Sequence, residues 1–322
     1  MKSNVVGQTP MIKVLYRYKG KSQFIYIKLE YYNLTGSIKD RMANYIIEKA
    51  KERGELKPSQ MIVEATSGNT GIALAAIGAR EKHPVCIFMP DWVSKERVEL
   101  MKSYNAEVIQ FSKQQGGFRK CVVEARNYAK NKQAFLANQF SNPDNILAHY
   151  ETTGKEIEEQ IGGEPIGGFV SGVGTGGTLM GVGRRLKRKN KETLVVAIEP
   201  DTMPLLSKNK IISSHKIEGI GDDFVPELVN RNLIDQVILI HDEDAINMAR
   251  LIARNLGIGC GISSGANFLG AIILQDRIKN PVVTVFADDN KKYLSTDLAQ
   301  DVDNNEKFIS NHVDLIKWEI LD

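Results

Sequence analysis

The chain has 322 residues, 42% hydrophobic and 25% charged, a balance that excludes a disordered protein and is enough for two domains with their own cores. Its 42 Lys and Arg against 39 Asp and Glu give a formal net charge of +3, spread along the chain, which points to neither nucleic acid nor a membrane as partner. No charged-then-apolar leader and no apolar stretch of bilayer length stands out, so a cytoplasmic location is the default expectation.

The first strand-like run is Phe24 to Leu29. Asn33-Leu34-Thr35-Gly36-Ser37-Ile38-Lys39-Asp40-Arg41 follows, where Gly36 and Ser37 read as turn and N-cap and Asp40 completes an approximate capping box. Lys39 then falls in the first turn of a helix, beside the apolar stripe Ile38, Met42, Tyr45, Ile46 and Ala50. A partly buried ammonium loses hydration and its pKa falls, which an amine needs to form an imine with an aldehyde. Taken alone, the lysine equally fits a solvated surface charge.

After a strand near Met61 comes Glu64-Ala65-Thr66-Ser67-Gly68-Asn69-Thr70-Gly71, opening a helix. Free N–H groups at a helix start, with hydroxyls from Thr66, Ser67 and Thr70, favour a carboxylate; ordinary helix capping is the competing reading. Strands at Val85 to Met89, Glu107 to Phe111 and Ala134 to Ala137 alternate with helices from Ser94 and Gly117.

Beyond Phe169 stands Gly172-Val173-Gly174-Thr175-Gly176-Gly177-Thr178, again between strand and helix, where glycines admit a phosphate close to the backbone. The same spelling satisfies G-x-G-x-x-G, and Glu199 closes the strand from Leu194, so an NAD-dependent oxidoreductase is a competing reading. The basic run Arg184 to Lys189 reads as a solvated helix end. Strand Val237 to Ile240, a helix from Asp244, the turn Gly261-Ile262-Ser263-Ser264-Gly265 and strand Val282 to Phe286 complete an α/β pattern of parallel sheets. The apolar tail residues from Val313 to Leu321 read as a packing or dimer-contact segment. The three cysteines, Cys86, Cys121 and Cys260, match no metal-ligand spacing, so no metal is expected.

These segments, in this order and with Val6-Gly7-Gln8-Thr9-Pro10-Met11 before them, resemble the cysteine synthase and cystathionine β-synthase family of pyridoxal-phosphate enzymes. The likeness is nearest to cysteine synthases of the B type, through Met89-Pro90-Asp91, Ser94-Lys95-Glu96-Arg97 and Gln139-Phe140-Ser141-Asn142-Pro143-Asp144-Asn145. It implies two open, mostly parallel α/β domains with the cofactor in the cleft between them: residues 1–12 and 37–147 in the smaller, 13–36 and 148–322 in the larger. It further implies that Lys39 anchors pyridoxal 5'-phosphate, that Gly174, Thr175, Gly176, Gly177 and Thr178 hold its phosphate, and that Asn69 meets its phenolic oxygen and Ser263 its pyridine nitrogen. Thr66, Ser67, Thr70 and Gln139 would receive the substrate carboxylate. A homodimer, and a serine acetyltransferase C-terminal peptide as a partner, belong to the same implication.

The resemblance leads to β-replacement on a three-carbon amino acid, with cysteine synthesis from O-acetylserine and sulfide as the first expectation. Two departures favour the alternative, in which cysteine is the donor, hydrogen sulfide is released, and water, cysteine or homocysteine adds. Gly219-Ile220-Gly221-Asp222-Asp223 carries two aspartates where the family loop has small residues, and Ala287-Asp288-Asp289 begins a loop with acids. Asp222 or Asp223 near Cβ could act on water or hold an incoming amino group, or both could be turn formers.

Overall fold

A computed structural model describes residues 5–300 and 305–321. The outer limits of the expected domains, residues 1–4 and 322, lie outside them. Alternating burial along β1 (Met11–Tyr18) and the apolar second half of β2 (Lys21–Leu29) make an antiparallel hairpin, turned by Lys19 and Gly20 at positive φ. The other strands are β3 (Ile62–Ala65), β4 (Val85–Pro90), β5 (Glu107–Phe111), β6 (Phe135–Leu136) and β7 (Gly168–Gly172). They continue with β8 (Leu194–Pro200), β9 (Gln236–Ile240), β10 (Val282–Phe286) and β11 (Val313–Leu321).

The early helices are α1 (Lys39–Glu52), α2 (Asn69–Glu81), α3 (Lys95–Ser103), α4 (Gly117–Lys132) and α5 (Pro143–Ala148). The later ones are α6 (Gly154–Gln160), α7 (Gly177–Lys189), α8 (Leu205–Lys208), α9 (Asp242–Leu256) and α10 (Ile262–Gln275). A π-helical stretch, His149–Thr153, joins α5 to α6.

Two sheets result. The four-stranded sheet, in the order β5-β4-β3-β6, is wholly parallel, and β3 and β4 are buried along their whole length as a sheet covered on both faces requires. The seven-stranded sheet, in the order β11-β1-β2-β10-β7-β8-β9, is parallel from β2 onward. It is mixed at the other edge, because β1 runs antiparallel to both β2 and β11. The apolar tail is thus an edge strand, running from Val313 opposite Tyr18 to Leu321 opposite Met11 with one register shift between Leu15 and Tyr16.

A buried ion network fixes the start of α1. Arg41 contacts Glu30 at 2.5 Å and Glu156 at 2.6 Å, and Lys28 contacts Glu156 at 2.8 Å and the Thr9 carbonyl. Arg41, Glu30 and Lys28 are fully enclosed, so each charge depends on its partners for what water would otherwise supply. The network joins α1, β2 and α6, and it holds the backbone two residues beyond Lys39.

Candidate active site

Open parallel sheets place their ligands at the carboxyl ends of the strands. Here the segments following β3, β7 and β10 meet, and Lys39 stands at their junction. Lys39 opens α1 one residue after Ile38 as N-cap, and the bonds expected of Ser37 and Asp40 form, though long, with Ser37 N donating to Asp40 Oδ2 at 3.4 Å. Asp40 accepts from Thr35 N at 2.9 Å and Thr35 Oγ1 at 2.7 Å, tying the preceding turn, while Ser37 Oγ accepts from Lys39 N at 3.3 Å. Ile38 N donates to the Ala287 carbonyl at 2.8 Å, and Ser37 pairs with Asp288. The lysine backbone is therefore pinned to the end of β10. Desolvation lowers the Lys39 ammonium below the usual lysine range, opposed by the charges of Asp288 and Asp222.

On one side of Lys39 lies a cavity with the helix start of α2 as its floor, lined by Thr66, Ser67, Asn69, Thr70 and Gln139. Gly68, at φ 159°, lets the chain turn into α2 beneath the Arg97 side chain. Thr66 Oγ1 accepts from Gly68 N at 3.0 Å, and Thr70 Oγ1 donates to Gln139 Oε1 at 2.6 Å. Gln139 is oriented from behind by Glu64, whose carboxylate accepts from Gln139 N at 2.9 Å and Ala65 N at 2.8 Å. Burial pushes the Glu64 carboxyl up to about 7.

On the other side, Lys39, Asn69 and Ser263 share a second cavity with Gly174, Thr175, Gly176 and Thr178. Gly176 caps α7 at φ 86°, and the N-terminus of α7 faces this space, with Gly177 N donating to Thr175 Oγ1 at 3.3 Å. A Cβ on Gly174 would collide with the Gly219 carbonyl, and one on Gly177 with Asn145, so both glycines are required by close packing. Asn145 Nδ2 donates to Thr175 Oγ1 at 2.9 Å, and His149 Nε2 lies 3.3 Å from Thr178 Oγ1. Burial keeps the His149 imidazole neutral, well below its ordinary pKa.

The two aspartates of the 219–223 loop part company. Asp222 lines the first cavity with Lys39, and burial beside Asp223 pushes its carboxyl up to about 6. Both aspartates also line the outer mouth, where Asp223 is ion-paired to Arg119 at 2.9 Å. Phe224, the next residue, packs edge-on against Phe140 with centroids 5.0 Å apart, and Phe118 joins them. This aromatic group bridges α4, the Gln139 segment and the Asp222 loop.

Arg97 has no place in the sequence reading of the site beyond its motif. It is fully buried, lines the cavity beside Asp222, pairs with Glu218, and lies 4.9 Å over the Tyr293 ring. Its burial among charged residues was the missing signal, and sequence spacing carries none of it. Glu199, the acid of the dinucleotide reading, accepts from Leu206 N at 2.7 Å and from Ser207 N at 3.0 Å, and so serves as a cap for α8.

The site fits pyridoxal phosphate on its own chemistry. It offers a desolvated amine, a glycine cradle at a helix N-terminus for a phosphate, and a buried Asn69 Oδ1 with no partner in the protein. The family model described as pyridoxal-phosphate dependent enzyme matches residues 2–288. The chain belongs to the pyridoxal-phosphate dependent enzymes. It is similar to cysteine synthase from Staphylococcus aureus (strain Mu50 / ATCC 700699), 39% identical over 298 residues, 92% of this chain and 96% of that one. It is also similar to cysteine synthase B from Escherichia coli (strain K12), 40% identical over 299 residues, 90% of this chain and 93% of the other. Among solved structures, a hydrogen sulfide-producing enzyme from Fusobacterium nucleatum superposes with a TM-score of 0.96 at 47% identity, covering 99% of this chain and 97% of that one. The expected cofactor, fold and family are thereby borne out, and the dinucleotide reading gives way.

Among the described residues no group of His, Cys, Asp and Glu could hold a metal ion, and no helix is long and apolar enough to cross a membrane.

Proposed function

We propose that this β-replacement enzyme uses L-cysteine as donor and releases hydrogen sulfide, with Asp222 managing protons at Cβ. The carrying observation is the half-buried Asp222 in the cavity that also holds Lys39 and the Thr66 to Thr70 segment. Pyridoxal phosphate supplies the electron sink that stabilises negative charge at Cα once the α-proton is lost.

Lys39 is the anchor and the base that takes and returns the α-proton, and desolvation favours its free-amine form. Gly174 to Thr178 hold the phosphate, Asn69 meets the phenolic oxygen, and Ser263 meets the ring nitrogen. Thr66, Ser67, Thr70 and Gln139 bind the substrate carboxylate, which directs Cβ toward Asp222. Protonated Asp222 gives its proton to the sulfur as the C–S bond breaks, and its carboxylate then takes a proton from the water or thiol that bonds to Cβ. A carboxyl titrating at about 6 holds both forms in quantity near neutral pH.

The second reading is cysteine synthesis from O-acetylserine and sulfide, favoured by the curated relatives' activity. It shares every residue role except that of Asp222. We also take the dimer as part of this reading, with Ile316, Trp318 and Ile320 exposed along edge strand β11 as a candidate face. A serine acetyltransferase tail entering the outer mouth near Trp92 and Phe118 is its other partner. Purified enzyme supplied with cysteine alone should evolve sulfide faster than it consumes O-acetylserine with sulfide; the reverse ranking would select the second reading.

A further inference from the structure

Asp288 is 1% exposed and stands at the meeting point of the site's separate segments. Its Oδ2 accepts from Asn69 Nδ2 at 2.7 Å and from Tyr293 OH at 2.7 Å. Its carbonyl accepts from Gly261 N at 3.0 Å, its backbone bridges to Ser37, and a Cβ on Gly261 would fall on its carboxylate. Oδ1 is buried without a partner. One residue thus touches the segments that carry Lys39, Asn69 and Ser263, by its side chain at Asn69 and by its backbone at the other two, yet it lines neither cavity. The sequence suggested that acids in this loop act near Cβ, but Asp288 points at the back of Asn69 instead.

We propose that Asp288 is a positioning residue: its carboxylate sets the Asn69 amide toward the cofactor and serves as the counter-charge of the Lys39 amine. The proposal rests on Lys39 and Asn69 being the cofactor-facing pair.

A carboxylate that accepts one amide hydrogen of Asn69 fixes which end of that amide faces Lys39 and leaves the second N–H for a cofactor oxygen. The charges facing Lys39 are Asp288 and Asp222 on one side of the balance and Arg97 and Lys292 on the other. Lys292 is buried and anchored to the Gly36 carbonyl at 2.8 Å, and Arg97 is held over Tyr293, so neither cation can move away. Without the Asp288 charge, two fixed cations would face the amine against Asp222 alone. Asp289 and Cys260 also lie beside Asp288, but Asp289 is turned toward Lys291 and its backbone.

The test is the pH dependence of reductive methylation at Lys39, read by peptide mapping in the full chain stripped of cofactor. Asp288→Asn should move the Lys39 profile down by at least one unit, giving about tenfold more modified amine at a fixed pH below the transition. Tyr293→Phe removes a donor and leaves the carboxylate less compensated, so the profile should move up. Shifts of opposite sign are not produced by general loosening of the site. A folded Asp288→Asn with an unmoved profile would overturn the proposal; should that variant fail to fold, absence of an upward shift in Tyr293→Phe would do so. Borohydride reduction of the holoenzyme, labelling a lysine other than Lys39, would instead remove the reading beneath it.

Discussion

Arg119 donates to Asp223 twice, from Nε to the carboxylate at 2.9 Å and from Nη2 to the backbone carbonyl at 2.9 Å, and so holds that side chain at the mouth of the cleft. The neighbouring Asp222 lines both that mouth and the cavity shared with Lys39. Of these two adjacent acids, one is held by an arginine and the other reaches the cavity of Lys39.

Asp222→Asn should lower sulfide release from cysteine by about 10²-fold or more, the usual contribution of a positioned acid or base. Asp223→Asn should stay close to the parent rate, because its pair is exposed and weakly coupled to the fold. Sulfide production and substrate binding by each variant, measured separately, check both. Equal losses in the two variants would contradict the division of roles.

Asp222 also makes a stability prediction. Its carboxyl is raised to about 6, above its unfolded value, so the native state holds the proton more tightly and stability falls as pH rises from the ordinary carboxylate range through about 6. In Asp222→Asn that fall should shrink. Urea midpoints at pH 4 and pH 7 measure the difference.

Lys39→Ala should abolish covalent attachment of the cofactor and cost at least about 10³-fold in turnover, since anchor and base are lost together. Borohydride treatment followed by mapping should mark Lys39 in the parent and no lysine in the variant.

Gly174→Ala would drive the phosphate loop against the Gly219 carbonyl and displace the segment leading to Asp222. Gly176→Asp would add a carboxylate beside the phosphate and force a non-glycine residue to φ 86°. Both should lose cofactor on dialysis faster than the parent while far-ultraviolet circular dichroism is retained. Undiminished retention would show that the phosphate sits elsewhere.

The buried network around Arg41 has its own acid limb. Arg41 and Lys28 hold the Glu156 carboxyl down at about 2, so its contribution is present above the unfolded carboxylate value and is lost as pH falls through about 2. Glu156→Gln should destabilise by about 3–5 kcal/mol near neutrality, the cost of leaving buried cations short of a partner. Thermal or urea unfolding at pH 7 and pH 3 should show a gap that narrows in acid.

Much of this molecule is legible in its sequence because the strands and helices alternate with clear periods. Glu107–Phe111 and Val282–Phe286 stand in the structure with the bounds their apolar runs suggest. The antiparallel β1–β11 edge was not legible, since β11 exposes Ile316, Trp318 and Ile320 and lacks the buried alternation of an ordinary strand. The site motifs were legible as loop chemistry, yet the choice between Asp222 and Asp223 was not. Adjacent residues differ there by their partners, and the Arg119 that holds Asp223 comes from a distant helix. Arg97 and Asp288 were opaque for a related reason: what makes each of them matter is enclosure by segments far away in the chain.

The order of strands imposes a schedule on synthesis. β3 to β6 pair only with one another, so the smaller sheet has all its partners once the chain has passed residue 136. β1 and β2 emerge first but border β11 and β10, which emerge last. They must wait through almost the whole of translation for the neighbours that complete their sheet. Lys39 shares that delay, because Ala287 and Asp288, which grip the turn before it, arrive with the end of β10. A ribosome-bound fragment ending before β10 therefore carries Lys39 without the Ala287 and Asp288 contacts that hold its turn.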